Sequence, residues 1–476
     1  MSNCCVETVL PDSSFKAMQA PVMDWQARLT AGLNRSIRAS DQTLGHIEEE
    51  IARRTRDLER TVAEEAAPKK AAQVPPHCPK CGAKLSRLTE GHERTIQTRF
   101  GPLQLGRRRG GCRRCQEGQF PADPALGSAS GGRASPSGQE LAALVGSKMP
   151  ITEARAVIQR LTGVELPRAI LDREARRQGK RATEKREELA QPMRPAPGVV
   201  QQVNPLRPGL SAEPFTLVIE LDAWNIRERA GWGQSAQRRA AGPEPQRWHW
   251  VYGGTGFGLS QRVRTASDRP VILSRGFVMT RTGIEGLREQ LFAESSRPGL
   301  AKAARVLALG DGGVWIWNLV DDRFEGAEQR RDLFHAKEPL WAVAHDLHPD
   351  DEPAARQWVT PFLKHWERGR GTRVIHDLQT VAQRLRRAQR QQIQREINCF
   401  GANLPRMNYP QGAKLGEPLG SGAMEATCRQ YQCRFKRPGQ FWTTAGDEGR
   451  MCLKTFWRNQ RWHLLFPHAA GDPSKN

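Results

Sequence analysis

Two Cys-x-x-Cys pairs constrain the fold of this 476-residue chain more than any other feature of its sequence. The pairs lie at 78–81 and 112–115, and the 30 residues between them contain two strand-like stretches around a turn at 100–102. Two such pairs joined by a hairpin are typical of a zinc ribbon, in which four thiolates surround one Zn²⁺. Sulfur fills every ligand position, so we expect one structural zinc ion. The predicted ligands are Cys78, Cys81, Cys112 and Cys115.

The other six cysteines show no pattern of disulfide pairing and favour reduced thiols in a cytosolic protein. They are Cys4, Cys5, Cys399, Cys428, Cys433 and Cys452.

The charge balance indicates a polyanionic partner. The chain has 73 Lys and Arg residues against 51 Asp and Glu residues, a net charge of +22. Nucleic acid is the partner we favour, although a solvated basic surface would have the same composition. No stretch is apolar for long enough to cross a membrane, and the N-terminus lacks the pattern of a secretory signal. We therefore expect a cytoplasmic protein without a membrane partner.

Composition and periodicity divide the chain into six segments, with breaks rich in proline and glycine at 127–137 and 191–214. We interpret them as a polar helical arm with its linker (1–76), a zinc ribbon (77–121), a helical segment (138–190), an α/β region (215–335), a second helical stretch (336–410) and a C-terminal part with one further helix (411–465). The predicted fold class is therefore multidomain α/β.

The helical segment 138–190 has the proportions of a helix-turn-helix unit. Helices predicted at 152–161 and 167–178 flank a short turn, and basic side chains follow the second helix. An ordinary helical bundle explains the pattern equally well. The residues predicted to contact DNA here are Arg173, Arg176 and Arg177. Around the ribbon, basic residues also suit phosphate contact, although a ribbon can equally be a protein-docking module; they are Arg107, Arg108, Arg109, Arg113 and Arg114.

Three acidic residues stand where strands end or a helix begins. Asp222 follows the apolar strand 215–221, and Asp311 follows a second apolar strand and is flanked by glycines. Glu425 opens a helix for which Ser421 is the predicted N-cap. Three carboxylates on separate elements can hold two Mg²⁺ or Mn²⁺ ions about 4 Å apart, as in enzymes that cleave phosphodiesters.

The acidic prediction has alternatives, because each of these side chains could be a solvated acid or a helix cap. Asp321, Asp322 and Asp332 compete for the second position. Glu220 could support the site or form a surface salt bridge, and His335 could lie near the site or pack in the core.

Basic and aromatic residues follow Glu425. Arg429 and Lys436 lie on the same predicted helix face and could reach phosphates. Arg437 and Trp442 could contact or stack on DNA, whereas a core tryptophan is the alternative for Trp442. The glycine-rich segment 253–258 lacks the features of a nucleotide-binding loop and is predicted to be a turn.

Taken together, these motifs resemble the DDE signature of bacterial insertion-sequence transposases, and the ISKra family most. The resemblance rests on the segments Ile219–Arg227, Leu309–Leu319, Asp332–Trp341, Gly420–Arg429 and Arg434–Trp442. It covers about residues 77–465. One departure is Ala223, because Asp-Gly is the more usual pair in such families.

The resemblance implies an RNase H-like catalytic core interrupted by a helical insertion at 336–410. Asp222, Asp311 and Glu425 would then be the metal triad of an enzyme associated with the bacterial nucleoid. The implied activity is Mg²⁺-dependent cleavage at transposon ends and transfer of the 3′-hydroxyl into target DNA. The implied partners are double-stranded DNA and further copies of the chain in the DNA complex.

Two other functions fit the same residues. One is a non-catalytic zinc-ribbon DNA-binding protein derived from a transposase. The other is a plain nuclease on the same scaffold.

Overall fold

The computed structural model of the chain describes residues 12–128, 132–193, 215–229, 247–297 and 300–468. Cys4, Cys5 and most of the predicted 191–214 linker lie outside the described residues. The chain forms two compact units: residues up to 178 together with those from 462 onwards, and residues 179–461. Both helices and strands are abundant, so the prediction of a mixed α/β protein is confirmed.

The first unit combines a helical hairpin, a small sheet and a helical segment. Its elements are α1 (Asp12–Arg38), α2 (Leu44–Ala72), β1 (Ser86–Thr98), β2 (Gly101–Cys112), β3 (Glu117–Gln119), α3 (Ala122–Ala125), α4 (Pro136–Lys148), α5 (Ile151–Thr162) and the beginning of α6 (Arg168–Ala190).

Helix α2 extends further than the sequence predicts. The sequence predicts a helix at 47–67 and a linker at 66–76, whereas α2 passes through Pro68 and ends at Ala72. Ala63 and Ala67 on this part of the helix pack against Ile96 and Leu103 of the β1–β2 hairpin. Burial of this apolar face therefore outweighs the local preference of a proline-containing segment to leave the helix.

The hairpin predicted between the cysteine pairs is present. β1 and β2 pair antiparallel from Ser86 opposite Gly111 to Thr98 opposite Gly101, and β3 adds to β2. A short core of Ile96, Leu103 and Leu105 lies under the turn end of this three-stranded sheet.

Helices α4, α5 and α6 enclose a small core that includes Ile158, Val164 and Leu171. Gly163 ends α5 in the left-handed conformation, with φ of 65°, as its sequence position predicts. Gly179, in contrast, does not end the next helix, which continues to Ala190. A Cβ at Gly179 would lie 2.9 Å from the backbone of Gly449, so this glycine allows two backbones to approach closely.

A five-stranded mixed sheet organises the second unit, in the order β10-β9-β4-β5-β8. β4, β5 and β8 pair antiparallel, while β9 and β10 run parallel to β4. The strands are β4 (Phe215–Glu228), β5 (Arg247–Gly258), β8 (Gly276–Thr280), β9 (Ala303–Gly310) and β10 (Glu328–Arg331); a separate ribbon consists of β6 (Arg262–Arg264) and β7 (Pro270–Ile272).

Helices cover both faces of this sheet. Leu217, Ile219 and Leu221 of β4 point to α7 (Gly283–Ser296) and α8 (Val314–Arg323). Trp224 and Ile226 point to the other face, against α14 (Gly422–Phe435) and α15 (Thr444–Arg458). A strand buried on both sides needs apolar residues at nearly every position, which explains the continuous apolar run that starts β4.

The prediction of a turn at 253–258 is wrong, because these glycines form the second half of β5. A Cβ at Gly253 would lie 2.2 Å from the side chain of Met424 on α14, and one at Gly254 would lie 2.8 Å from Leu291 on α7. The glycines therefore allow helices to approach the strand from both faces.

Between β10 and α14 the chain forms a helical region with its own core around Trp366 and Phe400. Its helices are α9 (Leu333–Leu347), α10 (Glu352–Glu367), α11 (Gly371–Gln383), α12 (Arg387–Asn403) and α13 (Tyr409–Lys414). None of the helices in the described part of the chain has the length and apolar character needed to cross a membrane.

Candidate functional site

The four cysteines of the two Cys-x-x-Cys pairs form one cluster at the base of the β1–β2 hairpin. Sγ of Cys78 lies 3.8 Å from Sγ of Cys115, and Sγ of Cys81 lies 3.5 Å from Sγ of Cys112. All four sulfur atoms lie within 4.8 Å of one another. Four sulfurs at 2.3 Å from a tetrahedral Zn²⁺ are separated by about 3.8 Å, so the cluster could hold a zinc ion.

The two turns of the cluster have the same backbone form. The N–H of Gly82 donates to the carbonyl of Cys78, and the N–H of Gln116 donates to that of Cys112, both at 2.8 Å. Gly82 and Gln116 both have positive φ, 74° and 56°. The second turn therefore adopts the left-handed conformation without a glycine, which is a strained choice typical of functional turns.

The surroundings of Cys78 favour a thiolate. Burial raises its pKa, but hydrogen bonds from the backbone N–H groups of Lys80 and Cys81 outweigh this effect and lower the pKa to about 7. Thiolates are the form that binds zinc, so this turn favours the ligand form of Cys78, whereas hydrogen bonds with the neighbouring thiols and burial raise the pKa of Cys115 to about 12.

Arg107 has a structural role that the sequence did not reveal. Its guanidinium donates to the buried Asp123 at 2.9 Å and lies 3.8 Å above the ring of Phe120. Arg94 donates to the same carboxylate. Arg107 is therefore engaged with Asp123 and only 11% exposed, whereas Arg113 and Arg114 are exposed, and phosphate contact by these arginines stays a prediction.

The first two residues of the acidic triad are carried by neighbouring parallel strands, Asp222 within β4 and Asp311 directly after the end of β9. Glu220 of β4 is the register partner of Leu309 of β9, so Asp222 and Asp311 each stand two residues beyond this pair. Asp222 lies within β4, which continues to Glu228, and the prediction that the strand ends before it is wrong. Burial raises the pKa of Asp222, and the negative charge of Asp311 raises it further.

Glu425 approaches the same place from the first turn of α14. Burial raises the pKa of Glu425, and the carboxylates of Asp332 and Asp222 raise it further. Asp222 is thus electrostatically coupled to both other members of the triad. Mutual pKa raising of this kind is compatible with a divalent cation, although the ligand atoms of Asp222, Asp311 and Glu425 do not all lie within 4.8 Å of one another.

Two buried carboxylates hold the beginning of α14. Glu220 accepts a hydrogen bond from the N–H of Met424 at 2.8 Å, and Asp332 accepts from the N–H and the hydroxyl of Ser421. The prediction that Ser421 caps the helix with its side chain is wrong, because its hydroxyl donates to Asp332 instead. The alternative of a surface salt bridge for Glu220 is also wrong, since the residue is fully buried.

Asp332 is itself the N-cap of α9 and joins a second cluster beside the triad. Its carboxylate accepts from the N–H of Phe334 and of His335. Ligand atoms of Asp332, His335 and Glu425 lie within 4.8 Å of one another. Nε2 of His335 is 3.7 Å from the Glu425 carboxylate, so this histidine lies near the site. Burial lowers the pKa of His335, but the carboxylates of Asp332, Glu338 and Glu425 outweigh this and raise it.

Cys428 is a site residue that sequence reasoning missed. Its thiol forms a hydrogen bond with Asp222, and burial together with this carboxylate raises the pKa of the thiol. Cys428 follows Glu425 by three residues, which places both side chains on one face of α14. That spacing was the only signal available in the sequence.

The residues predicted to bind DNA near the triad differ in exposure. Arg429 is 79% exposed and lies 3.9 Å from Glu425, and Lys436 and Arg437 are exposed as well. Trp442 is only 6% exposed and its Nε1 donates to the carbonyl of Phe435. The prediction that Trp442 stacks on DNA is therefore wrong, and the alternative of a core residue is the one observed.

In the helical segment of the first unit, the three predicted DNA-contacting arginines lie on α6. Arg173 is exposed. Arg176 pairs with Asp172 at 2.6 Å, and Arg177 lies 3.5 Å from Glu174. Two of the three cations thus have acidic partners on their own helix.

The chain was also compared with known proteins. No protein-family model matches it, and no curated protein matches it significantly. The geometry of the two clusters and the residues around them are therefore what bears on the function of this chain.

Proposed function

We propose that this protein is a DNA transposase of the DDE type, with an RNase H-like core and a structural zinc ribbon. The observation that carries the proposal is the placement of three carboxylates that are far apart in sequence: Asp222 and Asp311 each follow the Glu220–Leu309 register pair of adjacent parallel strands by two residues, and Glu425 lies in the first turn of the helix packed on that sheet. Asp222 and Glu425 are partly buried and have raised pKa values, a combination that is frequent at functional sites, whereas Asp311 is exposed.

The sheet gives independent support. An RNase H-like core is expected to have three antiparallel strands followed by two parallel ones, with the first strand central and an acidic residue on each of the two inner strands. The order β10-β9-β4-β5-β8 has this form, with Asp222 on β4 and Asp311 directly after β9. The helices at 333–414 then occupy the place of an insertion before the helix that carries Glu425.

The residues suggest how the reaction would be supported. Asp222, Asp311 and Glu425 would hold two divalent ions, which when bound activate water or a 3′-hydroxyl and stabilise the leaving oxygen. Glu220 and Asp332 fix the beginning of α14, so that Glu425 keeps its position relative to β4. Arg429, one turn after Glu425, is exposed and can pair with a phosphate of the bound DNA.

The substitution Asp311→Asn tests the proposal. We expect strand joining on supercoiled target DNA to fall by at least about 1,000-fold, because the transition state loses several kcal/mol of electrostatic stabilisation. DNA binding should persist. The matched control is Asp321→Asn, which alters an exposed aspartate on α8 and should leave joining unchanged. Full joining activity of Asp311→Asn would refute the mechanism.

The products of the wild-type chain separate the remaining possibilities. Joined strands support a transposase, and cut ends without joined strands support a nuclease on the same scaffold. DNA binding with neither product would favour the non-catalytic DNA-binding protein.

A further inference from the structure

A basic cleft lies within the first unit, and its lining includes none of the residues predicted to bind DNA. It has a volume of about 910 Å³ and is bordered by α2, by the turn between β1 and β2, and by the turn between α5 and α6. Two acidic residues, Asp57 and Glu165, also line it. Its cationic lining consists of Arg53, Arg56, Arg60, Arg155 and Arg168.

Three of these arginines form a row on one face of α2. Arg53, Arg56 and Arg60 are spaced by three and four residues, which places them along about 10 Å of helix. Duplex DNA has one phosphate charge per roughly 1.7 Å of its axis, so a row of this length passes several phosphates.

The arginines of this row lie close to the two turns that border the cleft. A Cβ at Gly163 would lie 2.3 Å from Cζ of Arg56, so the guanidinium lies directly against the turn between α5 and α6. A Cβ at Gly101, in the turn of the hairpin, would lie 4.0 Å from Cδ of Arg60. Two glycines with positive φ thus leave room for the arginines of α2.

The arginines differ in how far their charge is already neutralised. Arg53 pairs with Glu50 and Arg155 pairs with Glu165. Arg56 and Arg168 have no acidic partner within 4 Å among the described residues. Their charges are therefore available to an anion that enters the cleft.

We propose that this cleft binds the phosphate backbone of duplex DNA and positions the helical segment α5–α6 on it. The inference rests on the proposed function, since it assigns where the transposon end would be held. Guanidinium groups from several elements around a wide concave surface suit a polyphosphate. The lining contains one aromatic residue, Phe100, whereas single-strand binding sites use several aromatic side chains.

The experiment measures binding of the full-length, zinc-loaded chain to a short duplex DNA of arbitrary sequence, in the absence of Mg²⁺ so that the DNA stays intact. In the variant Arg56→Gln/Arg168→Gln we expect affinity to fall roughly 10- to 100-fold at moderate salt. The slope of log affinity against log salt should become shallower by about 2, because two phosphate contacts are lost. The variant Arg56→Lys/Arg168→Lys should recover most of the affinity.

The matched control is Arg35→Gln/Arg38→Gln, which removes the same charge from exposed positions of α1 outside the cleft. We expect its affinity to stay within about threefold of wild type, as screening weakens distant charges. Zinc content and melting temperature are measured for every variant. If the Gln variant does not fold, the single substitution Arg168→Gln replaces it, and the slope should then become shallower by about 1.

Three results would overturn the proposal: an unchanged affinity and slope in the Gln variant, an equal loss in the control, or tighter binding of duplex RNA or poly-glutamate than of DNA. Strand joining by the wild-type chain is measured in parallel. Loss of DNA affinity in the cleft variant without any wild-type joining supports the cleft while removing the transposase. Strand joining by the wild-type chain together with unchanged DNA affinity in the cleft variant would support the transposase and refute the cleft.

Discussion

The cysteine cluster and the acidic triad are both candidate metal sites, but they are built in different ways. The four sulfur atoms come from two turns at the base of one hairpin, and pairs of them lie 3.5 and 3.8 Å apart. The three carboxylates come from β4, from the end of β9 and from α14. Local turns complete the first site, whereas packing of a helix on a sheet completes the second.

The comparison extends to pH. The cysteine cluster requires thiolates, so acid should release its metal. In the second unit, burial raises the pKa of Glu220 to about 8 and that of Asp447 to about 7, so these two carboxyls hold protons at a pH at which exposed ones are ionised. The two units should therefore respond to pH in opposite directions.

The largest expected effect is the loss of a zinc ligand. Cys112→Ser should abolish zinc binding and with it a stabilisation of about 10 kcal/mol or more of the hairpin, because metal binding to such sites is coupled to folding. Zinc content and hydrogen exchange of residues 77–119 measure this. The control Cys433→Ser alters an exposed cysteine of α14 and should retain the full zinc content. Retention of zinc, and of protection from hydrogen exchange in the hairpin, by the Cys112→Ser variant would contradict this expectation.

A core substitution tests whether packing maintains the acidic site. Trp442 packs against Phe435 at the end of α14, with ring centres 5.1 Å apart. Trp442→Ala should lower the free energy of unfolding of the second unit by about 3–5 kcal/mol while zinc content stays unchanged. Chemical denaturation followed by tryptophan fluorescence measures it. Trp250, 55% exposed on β5, provides the matched control, and Trp250→Ala should cost under about 1 kcal/mol. Equal losses in both variants would contradict this.

The smallest effect concerns pH. The Asp447 carboxyl is fully buried, and Arg281 lies 3.4 Å from it. Because its pKa is raised from 3.8 to about 7, the folded state keeps a proton that the unfolded state has lost between these values. This contribution is fully present below pH 4 and is lost progressively as pH rises to 7.

The substitution Asp447→Asn removes the carboxyl group that holds this proton. Relative to wild type, the stability of the variant should therefore increase steadily from pH 4 to pH 7 in urea unfolding experiments. A difference that does not vary with pH would show that the carboxyl titrates normally.

Much of the local structure could be predicted. The hairpin between the cysteine pairs, the helix stop at Gly163 and the strand before Asp311 follow from turn residues, capping preference and apolar runs. The predictions that were wrong all involve a distant partner. Ser421 donates to Asp332 rather than capping its helix, Trp442 packs in the core, and Gly179 meets Gly449 in mid-helix.

The sequence by itself determined the candidate zinc ligands, the alternation of helices and strands, and the three carboxylates that we propose as the triad. These features follow from spacing and local conformational preference, which act over a few residues. Only the tertiary structure decided that Glu220 and Asp332 hold the beginning of α14, that Cys428 lies against Asp222, and that the arginines of α2 line a cleft. Such contacts join residues far apart in the chain, and they exist because burial of apolar faces brings helices and strands together.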